Sequence, residues 1–243
     1  MNLRQYTSLS SHRWVSGMCA AVAGVGLAAL LISQPAAAAS EKIGIIGAGS
    51  VGQTLAQLWI KSGHPVMISS RHPDEIASTA KSLGAKAGTP EQAARYGDVV
   101  VTAVPFGALP AVGKAEGKLL ANKVVIDPSN PYPERDGKLA NQAIASSSGE
   151  VSAKALGTKH LVRAFNTLAM GTLTARACGD DPVGLPLASD DQHAIELASQ
   201  LIKDAGFVPV VAGGLSSSHL FDPSSSVFLS PLSPEKLKAA MNQ

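Results

Sequence analysis

The sequence predicts an α/β fold: a Rossmann-type, doubly wound, mostly parallel sheet in a single domain with a short C-terminal extension. Three observations carry this. Short β-rich runs alternate with helix-patterned stretches from residue 42 onward, the order that lays parallel strands side by side with crossover helices between them. One run, DVVVTAVP at 98–105, is apolar without alternation, as expected of a strand covered on both faces. A glycine-rich hexapeptide, Gly47-Ala48-Gly49-Ser50-Val51-Gly52, directly follows the first strand and opens the first helix.

Taken in order, residues 42–46 (KIGII) read as the first strand and 50–62 as a helix, stopped by Gly63 with Pro65 just beyond. Residues 65–69 (PVMIS) are the second strand, and 73–84 a helix closed by Gly84. Thr89-Pro90-Glu91-Gln92 has the spacing of a capping box with proline at the first helical position, so another helix begins there. The runs at 98–105, 123–127 (KVVID) and 159–165 (KHLVRAF) supply three more strands. Asp190 is placed to cap a helix carrying Ile195, Leu197, Ala198, Leu201 and Ile202 and ending at Gly206, before a strand at 207–211 (FVPVV). The Ser/Pro-rich tail ends in a short helix begun at Ser233-Pro234 and reads as a packed excursion rather than a second domain.

The first 40 residues hold Arg4 and Arg13, none of the 18 acidic residues, and an apolar run from about Met18 to Ile32 before Ala37-Ala38-Ala39. A basic start, a run short for a membrane span and an Ala-rich exit read as a secretory signal over 1–39, with periplasmic or secreted destination; a single uncleaved membrane anchor is the alternative. Cys19 precedes the apolar run, the wrong order for a lipoprotein. SHRWVS at 11–16 partly matches a twin-arginine motif, with His12 in place of the first arginine, so the general secretory route is the expected one. The domain at 40–243 then carries 18 basic against 18 acidic residues, which leaves no basic footprint for nucleic acid and confines membrane contact to the signal. Only Cys178 remains there, so no internal disulfide can form, and the core must hold the domain.

In its strand–turn–helix context the hexapeptide is a dinucleotide fingerprint. Gly47 allows the tight turn, Gly49 lets backbone approach a pyrophosphate, and Gly52 lets helix pack on strand, with the free N–H groups of the helix N-terminus meeting the phosphates. An NAD site places an acid about 20 residues on, at the ribose 2′-hydroxyl. Here Ser69, Ser70 and Arg71 stand in that place, and two hydroxyls with a guanidinium suit the 2′-phosphate of NADP.

The stretches IGIIGAGSVGQTLAQLWIKSGHPVMISSR, DVVVTAVPFGAL, VVIDPSNPY, VRAFNT and DAGFVPVVAGGL, in this order, resemble the coenzyme F420-dependent NADP oxidoreductases, which share their N-terminal domain with pyrroline-5-carboxylate reductase. The resemblance implies NADP across the strand ends, with its nicotinamide facing a flavin or deazaflavin such as coenzyme F420. It puts Gly47, Gly49, Ser50 and Val51 at the pyrophosphate, Ser70 and Arg71 at the 2′-phosphate, and Val104, Pro105 and Phe106 on the ribose and nicotinamide side. Asn130, Pro131, Asn166 and Thr167 would border the second ring. Only 78 residues follow Phe165, without the long helical half of pyrroline-5-carboxylate reductases or β-hydroxyacid dehydrogenases.

Hydride transfer between two rings asks the protein for alignment and exclusion of water rather than for acid–base groups. Accordingly no catalytic dyad and no metal-ligand cluster is read from the sequence. His219, after GGLSSS, is a candidate substrate contact; Asn130 and Asn166 can equally serve to tie loops. The tail DPSSSVFLS departs from the family pattern, which leaves the far wall of the pocket open, and an export signal is unusual for the family. A small-molecule redox partner is expected, and a homodimer is the default assembly. Two alternatives stand beside this reading: an NADPH-dependent reductase of an imine or, through flavin, of a metal ion, and an exported nucleotide-binding scaffold without turnover.

Overall fold

The computed structural model describes residues 40–242; the signal read over 1–39 and the final residue, Gln243, lie outside them. Eight strands form one sheet: β1 (Ile43–Ile46), β2 (Val66–Ser69), β3 (Lys86–Gly88), β4 (Val99–Thr102), β5 (Val124–Asp127), β6 (Leu161–Ala164), β7 (Gly184–Ala188) and β8 (Val208–Gly213). Their order is β3-β2-β1-β4-β5-β6-β7-β8. All neighbours run parallel except β6 and β7. The doubly wound sheet expected from the sequence is therefore present, with β1 and β4 flanking the point where the strand order reverses.

The unbroken apolar runs are explained by two separate cores. Val99, Val101, Ile126 and Val162 face α1 (Ser50–Lys61) and α8 (Gln192–Asp204), joining Leu55, Trp59, Leu201 and Ile202. The alternate residues Val100, Val125 and Leu161 face the opposite layer, with Phe106, Leu109, Leu120 and Leu156. Helices α4 (Leu109–Leu120), α5 (Pro133–Ala145) and α6 (Ser148–Leu156) lie in the stretches between the β4, β5 and β6 runs. The remaining helices are α2 (Ala77–Leu83), α3 (Pro90–Tyr96), α7 (Met170–Arg176) and α9 (Pro234–Met241). The capping box at Thr89 and Gln92 is formed in both directions. The tail is packed as expected: Phe221, Val227, Leu237 and Met241 build a third apolar cluster with Ala188 of β7 and Val210 of β8.

One cap is corrected, two strands join the six read from the sequence, and one strand ends in an unusual turn. Asp191, not Asp190, caps α8 by accepting from the His193 N–H; the Asp190 carboxylate instead accepts from the Leu215 N–H at 2.9 Å. Strands β3 and β7 carry little β signal, being three residues long in one case and interrupted by Pro186 in the other. Pro186 is tolerated because β7 meets β6 only at Leu187 and Ala188, beyond the residue that lacks an N–H. Phe165, just after β6, holds a left-handed backbone with φ of 63°, unusual for an aromatic residue. Its ring is locked edge-on against Trp59 at 5.4 Å, and the turn delivers Asn166 to the strand ends.

Candidate functional site

A groove runs outside the carboxyl ends of β2, β1, β4 and β5, the position at which open α/β sheets bind ligands. Its first part is a cleft of about 670 Å³, lined by Gly47, Ala48, Gly49, Ser69, Ser70, Arg71 and one face of α4. Its second part, about 310 Å³, shares Gly49, Val104 and Pro105 and extends to Pro128, Ser129, Asn130, Tyr132 and Arg135.

The three fingerprint glycines are required for three different reasons. Gly47 has φ of 118°, and a Cβ there would lie 2.2 Å from the Ala103 carbonyl oxygen. Gly52 packs α1 onto the turn so closely that a Cβ would lie 2.4 Å from the Gly47 oxygen. Gly49 is the opposite case: nothing lies within 4 Å of a Cβ there, and the space it leaves opens on the groove. Gly49 is the N-cap of α1 without a side-chain cap, and no acidic residue stands in the first turn. The N–H groups of that turn thus face the groove with a favourable dipole, an arrangement that fits a pyrophosphate. Because Gly49 has ordinary extended angles (φ −76°, ψ −173°), Gly49→Val should fold, losing about 1 kcal/mol or less at the cap, yet fill that space. Melting temperature and NADPH titration check this: near-parental stability with binding abolished is expected.

At the β2 end the predicted trio divides. Arg71 is exposed at the cleft, and Ser70 beside it keeps its hydroxyl near the surface, where it accepts from the His72 N–H at 3.1 Å. Ser69 turns the other way. Its hydroxyl is fully buried, donates to the Ile45 carbonyl at 2.9 Å and accepts from the Gly47 N–H, so it braces the fingerprint turn rather than meeting phosphate. The opposite wall comes from Ala108, Ala111, Val112, Ala115 and Glu116, the small-residue face of α4, with Ile76 and Pro90 across from it. Glu116 is largely buried, and that burial, aided by Glu91 and opposed by Arg95, raises its pKa above the ordinary carboxylate value.

The second part of the groove is built by the loop after β5. Val104, Pro105 and Asn130 line it, but Phe106 has its ring wholly in the core, and Pro131, Asn166 and Thr167 are buried behind the wall. Asn166 works through Asn130: its Nδ2 donates to Asn130 Oδ1 at 3.2 Å, and Asn130 Nδ2 donates back to the Asn166 carbonyl at 2.9 Å. The Ser129 hydroxyl, buried in the lining, has no partner among the described residues, which leaves it to a ligand. His219 stands outside the groove, exposed, with Nδ1 2.7 Å from the Ser216 carbonyl.

Tyr132, Arg135 and Asp136 were not singled out by the sequence reading. Gly137, with φ of 57°, breaks α5 after its first turn and sets that turn against the groove. Asp136 accepts from the Gly107 N–H and the Tyr132 N–H, both at 3.0 Å, so one carboxylate latches the loops after β4 and β5 together. Burial alone would raise its pKa, but the Arg135 guanidinium and the two N–H groups outweigh this and hold it below the ordinary 3.8. A depressed carboxylate stabilises the fold above its unfolded pKa and loses that contribution as pH falls through its lower folded one. The stability gap between wild type and Asp136→Asn should therefore be constant near neutrality and close as pH drops below 3.8. Denaturant midpoints measured from pH 6 to 3 read it directly.

Behind this loop lies a buried ionic cluster, also missed. Arg163 and Asp127 are fully buried; the Arg163 Nη1 donates to Asp127 Oδ2 at 2.9 Å, and Nη2 to Asp222 Oδ1 at 3.2 Å. Asp127 also accepts from Ser152 Oγ at 2.6 Å and from the Ser129 N–H at 3.0 Å, which fixes the start of the site loop. The signal was a charge inside each apolar strand, at the ends of VVID and in LVRAF.

Comparison with known proteins agrees with this geometry. Residues 42–131 match the family model described as NADP oxidoreductase, coenzyme F420-dependent. The metalloreductase STEAP3 of Rattus norvegicus is 28% identical over 183 residues, 74% of this chain, but the match spans only 35% of that protein. Among solved structures, SMa0349 of Sinorhizobium meliloti superposes with a TM-score of 0.65 at 27% identity, covering 79% of this chain and 94% of that one. A putative F420-dependent NADP reductase of Arthrobacter sp. FB24 has the same fold, with a TM-score of 0.63 at 23% identity over 74% of this chain and 87% of that one.

Proposed function

We propose that this NADP-dependent oxidoreductase, whose residues 42–131 match the family model described as NADP oxidoreductase, coenzyme F420-dependent, passes a hydride between NADP(H) and a flavin or deazaflavin ring. The observation that carries the reading is the continuity of the groove: the cleft at Gly49 and Arg71 passes by way of Val104 and Pro105 into a second part lined by Ser129, Asn130, Tyr132 and Arg135, so that two ligands can meet in it. When bound, NADPH supplies the hydride from its nicotinamide C4, and the second ring accepts it at the carbon or nitrogen facing it. The remaining work is alignment at near-contact distance.

The chain's own groups divide that work. The N–H groups of Ser50 and Val51 at the start of α1 hold the pyrophosphate, and Ser70 with Arg71 holds the 2′-phosphate. The apolar pair Val104 and Pro105 forms the floor between the two parts of the groove and keeps water from the reacting face. The Ser129 hydroxyl and the Asn130 amide, the latter steadied by Asn166, supply polar contacts at the ring edge. Asn166 acts from behind, as a positioning residue.

The similarity to a metalloreductase supports a second reading, in which the reduced flavin passes its electrons on to a metal ion. Steady-state oxidation of NADPH with coenzyme F420, FMN or a ferric chelate as acceptor separates the two. Turnover with either ring alone supports hydride transfer as the reaction. Ferric reduction that requires catalytic flavin supports the second reading, and no turnover with any acceptor contradicts both.

A further inference from the structure

NADP brings two anionic regions to the groove, its 2′-phosphate and its pyrophosphate, and both are already met, by Arg71 at the end of β2 and by the first turn of α1. A second guanidinium remains. Arg135 lines the far part of the groove, after β5, three strand spacings or about 14 Å from the β2 end. No phosphate of NADP reaches that end if its nicotinamide lies over Val104 and Pro105.

The Arg135 side chain is held as a fixed fork. Its Nε donates to Asp136 Oδ1 at 2.9 Å, and Nη2 donates to Asp136 Oδ2 at 2.7 Å and to the Asn130 carbonyl at 2.8 Å. Nη1 has no hydrogen-bond partner among the described residues. The guanidinium lies over the Tyr132 ring at 5.0 Å from its centroid, and about half of the side chain is open to solvent. Asp136 balances the charge of Arg135 as its ion pair, but the guanidinium, oriented on three acceptors and stacked on an aromatic ring, keeps Nη1 for an oxyanion and loses little freedom in meeting one. Arg135 is also the only charged side chain in this part of the lining.

We propose that Arg135 recognises the phosphate on the side chain of the second substrate, so that this site takes a ribityl-phosphate flavin or deazaflavin in preference to the phosphate-free ring. The inference rests on the hydride-transfer reading for the ring's presence, and the phosphate preference is a separate claim. The shared chemistry is a phosphomonoester or phosphodiester on a ribityl chain, available from FMN or from coenzyme F420.

The test is flavin binding to the NADP+-loaded protein, read by quenching of flavin fluorescence, with FMN against riboflavin. The same comparison with coenzyme F420 against its phosphate-free core identifies which source is preferred. Charge-assisted hydrogen bonds predict FMN bound about tenfold or more tightly than riboflavin. Arg135→Gln should collapse that ratio toward one, and Arg135→Lys should restore part of it. NADP+ affinity and melting temperature, measured alongside, report whether the groove is intact. Equal affinity for both forms in the wild type overturns the proposal, as does an Arg135→Gln variant that weakens both forms alike, since Arg135 would then merely support the loop. Phosphate preference without NADPH oxidation leaves the phosphate site standing and contradicts the hydride-transfer reading. Turnover without preference does the reverse, and failure of either ring to bind overturns both.

Discussion

Arg163→Met should lower the unfolding free energy by about 3–5 kcal/mol, the range for breaking a buried ion pair from one side. For a domain of this size that is a fall in melting temperature of roughly 10 °C or more. The reason is local. Asp127 and Asp222 converge on the guanidinium, with Asp127 and Arg163 both at 0% exposure, and without the cation two carboxylates share one dry site. Asp127→Asn should cost less than Arg163→Met: the amide oxygen can keep the Ser129 N–H, the Ser152 hydroxyl can turn to accept from the amide N–H, and Asp222 still pairs with the guanidinium while one of two negative charges is removed. Thermal unfolding of the two variants checks the order. A melting temperature for Arg163→Met within a degree or two of the parent would show that the cluster is not the strut holding β5, β6 and the tail together. The same cluster anchors the loop bearing Ser129 and Asn130, so surviving Arg163→Met protein should also bind the second ring more weakly.

The second large effect is on cofactor choice. Arg71→Ala should weaken NADPH binding about 10- to 100-fold, the worth of hydrogen bonds to a charged group, and change NADH binding by less than about twofold. Arg71 is exposed at the cleft and makes no ion pair among the described residues, so its charge is not spent on a neighbour. Asp74 and Glu75 fall in the 3-10 turn Pro73–Ile76, past the end of β2, and leave no acid placed to favour a 2′-hydroxyl. Because the site is open to water, the NADPH advantage should shrink as salt is raised from 0.05 to about 0.5 M, through screening. Isothermal titration of both nucleotides at two salt concentrations reads all of this. Equal losses for NADPH and NADH would place the 2′-phosphate elsewhere.

Much of this architecture is legible in the residues alone. Sheet class, fingerprint, helix stops at Gly63 and Gly84, the capping box at Thr89 and the helix start at Ser233 all follow from local chemistry, and local chemistry is what a sequence displays. What escaped depends on tertiary partners. Ser69 and Ser70 are chemically alike and adjacent, yet alternation along β2 sends one hydroxyl inward to Ile45 and leaves the other at the surface. Phe106 follows Pro105 into the groove region in sequence, but its ring turns into the core. Asn166 meets the groove only by way of Asn130, and Thr167 is buried behind it. Arg135 and Asp136 gain their meaning from the break at Gly137 and from Gly107, a residue 29 positions away. The role of Arg163 does not stand out in its strand, because its two carboxylates, one of them 59 residues away in the tail, meet it only in the fold.

In the proposed reaction hydride moves directly between two rings held in contact in the groove. This is tested most directly by supplying NADPH deuterated at C4, in each of its two stereochemical forms, together with coenzyme F420. A reduced deazaflavin retains hydrogen delivered to its ring carbon. Deuterium is expected at that carbon from one of the two forms and none from the other. Reduced deazaflavin without label from either form would contradict direct transfer, and so would failure of the purified protein to oxidise NADPH in the presence of the ring.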